Sequence, residues 1–209
     1  MYTKSTSTLS SHDRILLSAK QLFAQHGFEN TSTVAIAREA GTSESQLMKH
    51  FGNKQGLLVA IMDRGWTSIS ERVHAVHHTS PADRLLHVLE AVAIELDRDP
   101  QMKTLMTLEA RRVRKDGTDV LLSRGSRQFR SLLDGILQEM RNEGQIRTDL
   151  NLDAVRAAVI GMTEGLLRDL VVANRSELRA DYGFEDVQKL LGILVGAFHE
   201  PIVQRAKAS

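Results

Sequence analysis

The chain has 209 residues, 42% hydrophobic and 25% charged, with a formal net charge of +1. That composition fits one large domain, or a small and a medium one, of ordinary globular character, and gives no sign of a polycationic nucleic-acid binder. There is no cysteine, which excludes a disulfide framework and a thiolate metal site and suits a reducing cytoplasm. Aromatics are only 4% and prolines only three, so aliphatic side chains must fill the core, and helix is favoured over sheet.

Met1 to Ser11 is polar and rich in Ser and Thr; it lacks the apolar centre of a signal peptide and reads as a flexible arm. No apolar run approaches the length needed to cross a bilayer, so no membrane partner is expected and the chain is placed in the cytoplasm. A first helix is expected from about Ser11 to His26, with Leu16, Ala19 and Phe23 on one face and Gly27 ending it in the left-handed conformation. Ser32 can cap a second helix carrying Val34, Ile36, Ala37 and Ala40, which Gly41 stops after only a few residues. Ser43-Glu44-Ser45-Gln46 then has the form of a capping box, opening a third helix whose apolar side is Leu47, Met48 and Phe51. Two short helices on either side of a tight turn, with a longer one in front to cover them, are the layout of a helix-turn-helix.

Gly52-Asn53 breaks the pattern, and a long helix follows from Lys54 towards His77. Further helices are expected over about Ala82–Leu96, from Gln101 to a fade at Lys115-Asp116-Gly117, over Asp119–Asn142, from a cap at Asp149 or Asn151 to Asn174, and over Phe184–Ala206. The reading is all-α, with about nine helices. It consists of an N-terminal three-helix helix-turn-helix domain over residues 1–53 and a C-terminal helical ligand-binding and dimerisation domain over residues 54–209.

The stretch from Gly27 to Leu58 carries Gly27-Phe28, Thr31-Ser32, Ile36-Ala37, Ala40-Gly41-Thr42-Ser43, His50-Phe51, Lys54 and Leu57 in fixed order. In order and spacing this set resembles the signature of the tetracycline-repressor (TetR) family of transcriptional regulators, and the total length and helix count agree. The segment Gly144 to Asp149, leading into Asn151-Leu152-Asp153, looks like the family's approach to its eighth helix. Two positions depart from the pattern. Thr33 stands where Val or Met is usual. Met48 stands where the family usually has a Tyr that touches a DNA phosphate, and Met cannot donate that hydrogen bond.

Residues 1–54 hold six Lys and Arg against four Asp and Glu, so specific contacts must matter more than bulk charge. Thr42, Ser43, Glu44, Ser45, Gln46 and Lys49 supply the short polar and basic side chains that a recognition helix needs. Gln46 suits adenine, Lys49 suits guanine or a phosphate, and Glu44 suits cytosine N4 although it repels phosphates. Ser43 and Gln46 also suit a purely capping role. The resemblance implies that Lys54 clamps a phosphate, and Ser32, Thr33 and His50 are further backbone-contact candidates. The partner implied is double-stranded DNA with a near-palindromic operator.

The eighth helix is apolar on more than one face, with Val155, Val159, Met162 and Leu166 in one row. Gly161 and Gly165 lie four apart, as do Gly192 and Gly196 beside Leu190, Ile193 and Ala197 in the last helix. Each interior glycine costs about 1 kcal/mol against Ala, which close helix approach would offset. A homodimer through these two helices is expected, as the family also implies; a tight contact within one chain is the alternative. The resemblance further implies a small-molecule effector. Met102, Leu105, Met106, Phe129, Leu133 and Leu137 are candidate lining residues, with the (i, i+4) pair Glu164 and Arg168 as polar members; the same apolar stripe also suits plain core, and the pair a structural salt bridge. No catalytic constellation is present. His74, His77 and His78 lack a nearby carboxylate at ligand spacing and read as a solvated helix end, so no metal and no cofactor is expected.

The reading is therefore a ligand-responsive DNA-binding regulator, with repression the family's commoner mode. The alternative is an architectural or partner-binding factor on the same fold without an inducer.

Overall fold

The computed structural model describes residues 9–74, 80–108, 123–174, 176–177 and 180–198. Among the described residues there are nine helices and no strand. They are α1 (Ser11–His26), α2 (Thr33–Glu39), α3 (Glu44–Phe51), α4 (Lys54–His74), α5 (Pro81–Arg98), α6 (Pro100–Leu108), α7 (Arg124–Asn142), α8 (Leu152–Ala173) and α9 (Phe184–Ala197).

The starts of these helices follow from short polar side chains that take up otherwise orphaned N–H groups. Ser10 accepts from the Asp13 N–H at 3.1 Å, Ser32 from Ala35 at 3.1 Å and Ser43 from Gln46 at 3.2 Å. Asn53, Asp99 and Asn151 do the same for α4, α6 and α8, at 2.7, 3.0 and 3.1 Å. Pro81, one position ahead of the expected start at Ala82, is the first residue of α5, where its missing N–H is no loss and its fixed φ suits the helix. Ser123-Arg124-Gly125-Ser126 forms the start of α7, with Ser123 accepting from the Ser126 N–H at 3.1 Å. The expected beginning of that helix at Asp119, the fade at 115–117, His77 and His78, and the end of the last helix beyond Phe198 lie outside the described residues.

Gly27 ends α1 as expected, but not in the left-handed helical region. Its φ of 80° is paired with a ψ of 159°, a combination open essentially to glycine alone, and it turns the chain sharply enough to return Phe28 onto Phe23, ring centroids 5.2 Å apart.

The chain divides into two compact units. The first gathers α1, α2, α3, α4 as far as Thr67, α6 and the opening of α7 to Ser126. The expected boundary between Asn53 and Lys54 therefore falls inside it. Ile15, Phe23, Ile36, Leu47, Leu57 and Leu58 are fully buried here. Gly125 presses on α4: a Cβ there would stand 2.3 Å from the Trp66 Cβ, and its N–H donates to the Asp63 carboxylate at 2.8 Å.

The second unit gathers the end of α4, α5, the rest of α7, α8 and α9. Its core interleaves Leu85 and Leu89 of α5 with Leu133, Ile136 and Leu137 of α7, Val155 and Val159 of α8, and Val187, Leu191 and Val195 of α9. Tyr182 locks the link between α8 and α9, its hydroxyl 2.9 Å from the Leu166 carbonyl and 3.0 Å from the Asp169 carboxylate. Burial, reinforced by the Asp169 charge, pushes the Tyr182 phenol up from 10.0 to about 12. A raised phenol pKa contributes stability that is complete below pH 10.0 and is lost as pH rises towards about 12. Phenolate absorbance should therefore contain a component near pH 12 that Tyr182→Phe removes; a wild-type titration complete near pH 10 would contradict this.

Candidate nucleic-acid interface

The helix-turn-helix is built by α2 and α3 around Gly41, whose φ of 61° permits the tight turn. Arg14 of α1 braces that turn, donating from Nε to the Ala40 carbonyl at 3.0 Å and from Nη1 to the Leu9 carbonyl at 3.0 Å. Buried Thr31 donates to the Gly27 carbonyl at 2.8 Å. The scaffold thus satisfies its own polar groups and leaves the outer side of α3 to solvent.

On that outer side Ser43, Glu44, Ser45, Gln46, Lys49 and His50 are exposed, as is Ser32 at the start of α2, while Thr42 and Thr33 are half-buried. Ser45, Gln46, Lys49 and His50 share one side of α3 and carry both hydrogen-bond donors and acceptors, which suits base edges in a major groove. Several of the expected contact residues have other work. The Thr33 hydroxyl donates to the Glu44 carboxylate, so this pair ties the start of α2 to the start of α3, and Glu44 is oriented by Thr33. Lys54 departs further from expectation. Its ammonium donates to the carbonyls of Phe28 at 2.9 Å, Thr31 at 3.1 Å and Glu29 at 3.4 Å, and it lies 4.4 Å from the centroid of the Phe28 ring. An ammonium has three protons; here they are directed at three carbonyls of the loop between α1 and α2, so Lys54 staples α4 to that loop.

His50 joins a small ring cluster, edge-on to His12 at 5.7 Å, while His12 lies 4.8 Å from Phe51. Next to it, Asp13 pairs with Arg64 of α4 at 2.9 Å. The Ser10 hydroxyl and the Arg64 guanidinium hold the Asp13 carboxyl below its ordinary value. Lys20 of α1 pairs with Asp99 at 2.6 Å, and the other Asp99 oxygen caps α6. These links were not legible in the sequence, because the partners are far apart along the chain.

The remaining sequence-derived candidates divide. Val155 and Val159 lie in the chain's own core, so they are not available to a partner, and Met162 and Leu166 pack against that core while half-buried. Gly161, Gly165, Leu190, Ile193, Gly196 and Ala197 are exposed, and Gly192 half-buried. A Cβ on any of the four glycines would meet nothing within 4 Å, which removes a tight contact within one chain as their explanation. Of the proposed pocket lining, Met102, Leu105 and Met106 belong to the first unit and Phe129, Leu133, Leu137, Glu164 and Arg168 to the second. Met102 packs on α4 at Gly65, where a Cβ would stand 2.8 Å from its sulfur. Leu133 and Leu137 are buried core, and Phe129, Glu164 and Arg168 are half-buried. Among the described residues no His, Cys, Asp and Glu group is arranged to hold a metal ion, and no helix is long and apolar enough to cross a membrane.

Residues 15–61, which span the end of α1's first turn through α4's second, match the family model for bacterial regulatory proteins, tetR family. The match covers the helix-turn-helix and the helices on either side of it. It is 22% identical over 180 residues to the nucleoid occlusion factor SlmA of Photobacterium profundum, covering 85% of this chain and 91% of that protein. Against the HTH-type transcriptional repressor AcnR of Corynebacterium glutamicum it is also 22% identical, covering 80% and 85%. Among solved structures, the fatty acid degradation regulator FadR of Bacillus halodurans superposes with a TM-score of 0.75 at 19% identity, covering 94% of this chain and all of that one. FadR of Bacillus subtilis in complex with stearoyl-CoA gives 0.72 at 18%, covering 89% and 98%. AcnR is named a transcriptional repressor, and the two FadR proteins are named regulators.

The geometry of Lys54 gives a direct test. Lys54→Met keeps the stem and leaves three carbonyls without their donor, so it should destabilise the chain by about 2 kcal/mol in urea unfolding. The slope of log affinity for DNA against log salt should be unchanged; a slope shallower by about 0.9 would mean that Lys54 neutralises a phosphate after all.

Proposed function

We propose that this chain is a transcriptional regulator of the TetR family, a homodimer that binds a near-palindromic operator in the cytoplasm, acts as a repressor, and is released by a small, largely apolar ligand. The observation that carries the dimer is the exposed face of α8 and α9. Ala157, Ala158, Gly161 and Gly165 of α8, and Leu190, Ile193, Gly196 and Ala197 of α9, are all exposed; Ile193 is 68% exposed. Small residues that touch nothing, beside large apolar ones in water, are what a second copy's helices would cover. A two-fold pair of recognition helices would then read a two-fold site, with Ser45, Gln46 and Lys49 as base readers and Ser32, Thr33, Thr42, Ser43 and His50 nearer the backbone.

For release, a ligand must bind better to the form whose recognition helices are wrongly spaced for DNA. An acyl chain is the first effector class to screen. The B. subtilis FadR structure is described with stearoyl-CoA, and the half-buried Phe129, Glu164 and Arg168 beside the aliphatic core of the second unit offer an apolar wall with a polar end. The second reading, a DNA-binding factor without an inducer, is favoured by the likeness to a nucleoid occlusion factor over most of both chains.

Selection from a random duplex library should enrich one near-palindromic site, and sedimentation should give a dimer. Ile193→Glu should shift the chain to monomer and weaken binding to that site at least tenfold. A wild-type monomer that binds a single half-site at full affinity would sink the dimer reading. Acyl thioesters that leave the affinity for the selected site unchanged would move weight to the inducer-free alternative.

A further inference from the structure

The large apolar side chains most exposed among the described residues are Leu9, Leu17, Val34, Met48, Leu190 and Ile193. The last two belong to the dimer face proposed above. Val34 and Met48, at 61% and 42% exposure, instead stand on α2 and α3 of the helix-turn-helix. Single exposed apolar residues are common; the place of Met48 is what distinguishes it.

Met48 lies one turn along α3 from Glu44, on the same flank of the helix. That flank is fixed by the hydrogen bond from Thr33 to Glu44, which turns it towards the start of α2, where Val34 follows Thr33. Because Glu44 accepts from Thr33, the flank presents a carboxylate that is already engaged and then an unbranched thioether. On the adjoining outer side stand the exposed Ser45 and Lys49. Met48 cannot donate a hydrogen bond to a base or a phosphate, but in the major groove each A·T pair offers one apolar group, the thymine C5-methyl. A flexible, polarisable side chain can follow that methyl without demanding a fixed geometry.

We infer that Met48 is a specificity-determining residue that packs on a thymine methyl in each operator half-site. This rests on the DNA-binding reading above and deepens it, adding an apolar contact to the polar ones.

Deoxyuridine differs from thymidine only by the missing methyl and keeps the same hydrogen-bonding edge. A site is first selected with the full wild-type chain, and each thymine of the selected duplex is then replaced by deoxyuridine in turn. Burying one methyl group corresponds to about a fourfold change in affinity, so one thymine per half-site should show a loss of about that size. Met48→Ala should bind the unsubstituted duplex about fourfold more weakly and be indifferent to deoxyuridine at that thymine. Met48→Leu should restore the sensitivity. Indifference of the wild-type chain to every replacement, or the same penalty in Met48→Ala, would overturn the inference while leaving the regulator reading intact. Failure of the wild-type chain to bind any unsubstituted duplex would overturn both, and is told apart by that control.

Discussion

The architecture of the first unit turns on where one ammonium goes. The loop from Phe28 to Thr31 points three carbonyls at the start of α4, and Lys54 answers all of them while lying over the Phe28 ring. Charge-assisted hydrogen bonds of this kind are roughly twice as strong as neutral ones. Their effect is to fasten the end of α1, the loop and α4 into one body. With that body fixed, Arg14 can brace the turn at Ala40 and Thr33 can orient Glu44. The recognition surface is then a rigid face rather than two short helices that could not hold shape alone.

The same commitment reshapes the electrostatics. Lys54, Lys20, Arg14 and Arg64 each have partners within the protein, so these four cations are engaged by the fold. Lys49 on α3 and Arg38 on α2 stay exposed. On the proposed DNA-binding reading these four cations add little counterion release, and discrimination among sequences rests on the side chains of α3. This agrees with a chain whose formal net charge is only +1.

In the second unit the decisive fact is which face of α8 the core takes. Val155, Val159 and Leu167 turn inward, and the row of Ala157, Ala158, Gly161 and Gly165 turns outward. The helix is apolar nearly all round, so its sequence could not say which stripe belonged to the chain's own core. Packing against α9 settles that. It moves the candidate partner surface from the large residues of the helix to its small ones, where backbones can approach most closely.

The sequence by itself determined what is local. The helix starts at Ser32, Ser43 and Asn151, the turn at Gly41, the order of the first three helices and the family signature were all legible, because a cap or a turn needs only residues within three or four positions. Only the tertiary structure decided the rest: that Lys54 faces a loop 23 to 26 residues behind it, that Glu44 is held by Thr33, and that Val155 is core while Gly161 is surface. A charge or an apolar stripe is defined in sequence by its chemistry alone. What it does depends on the partner that folding brings to it, and partners distant along the chain leave no periodic signal.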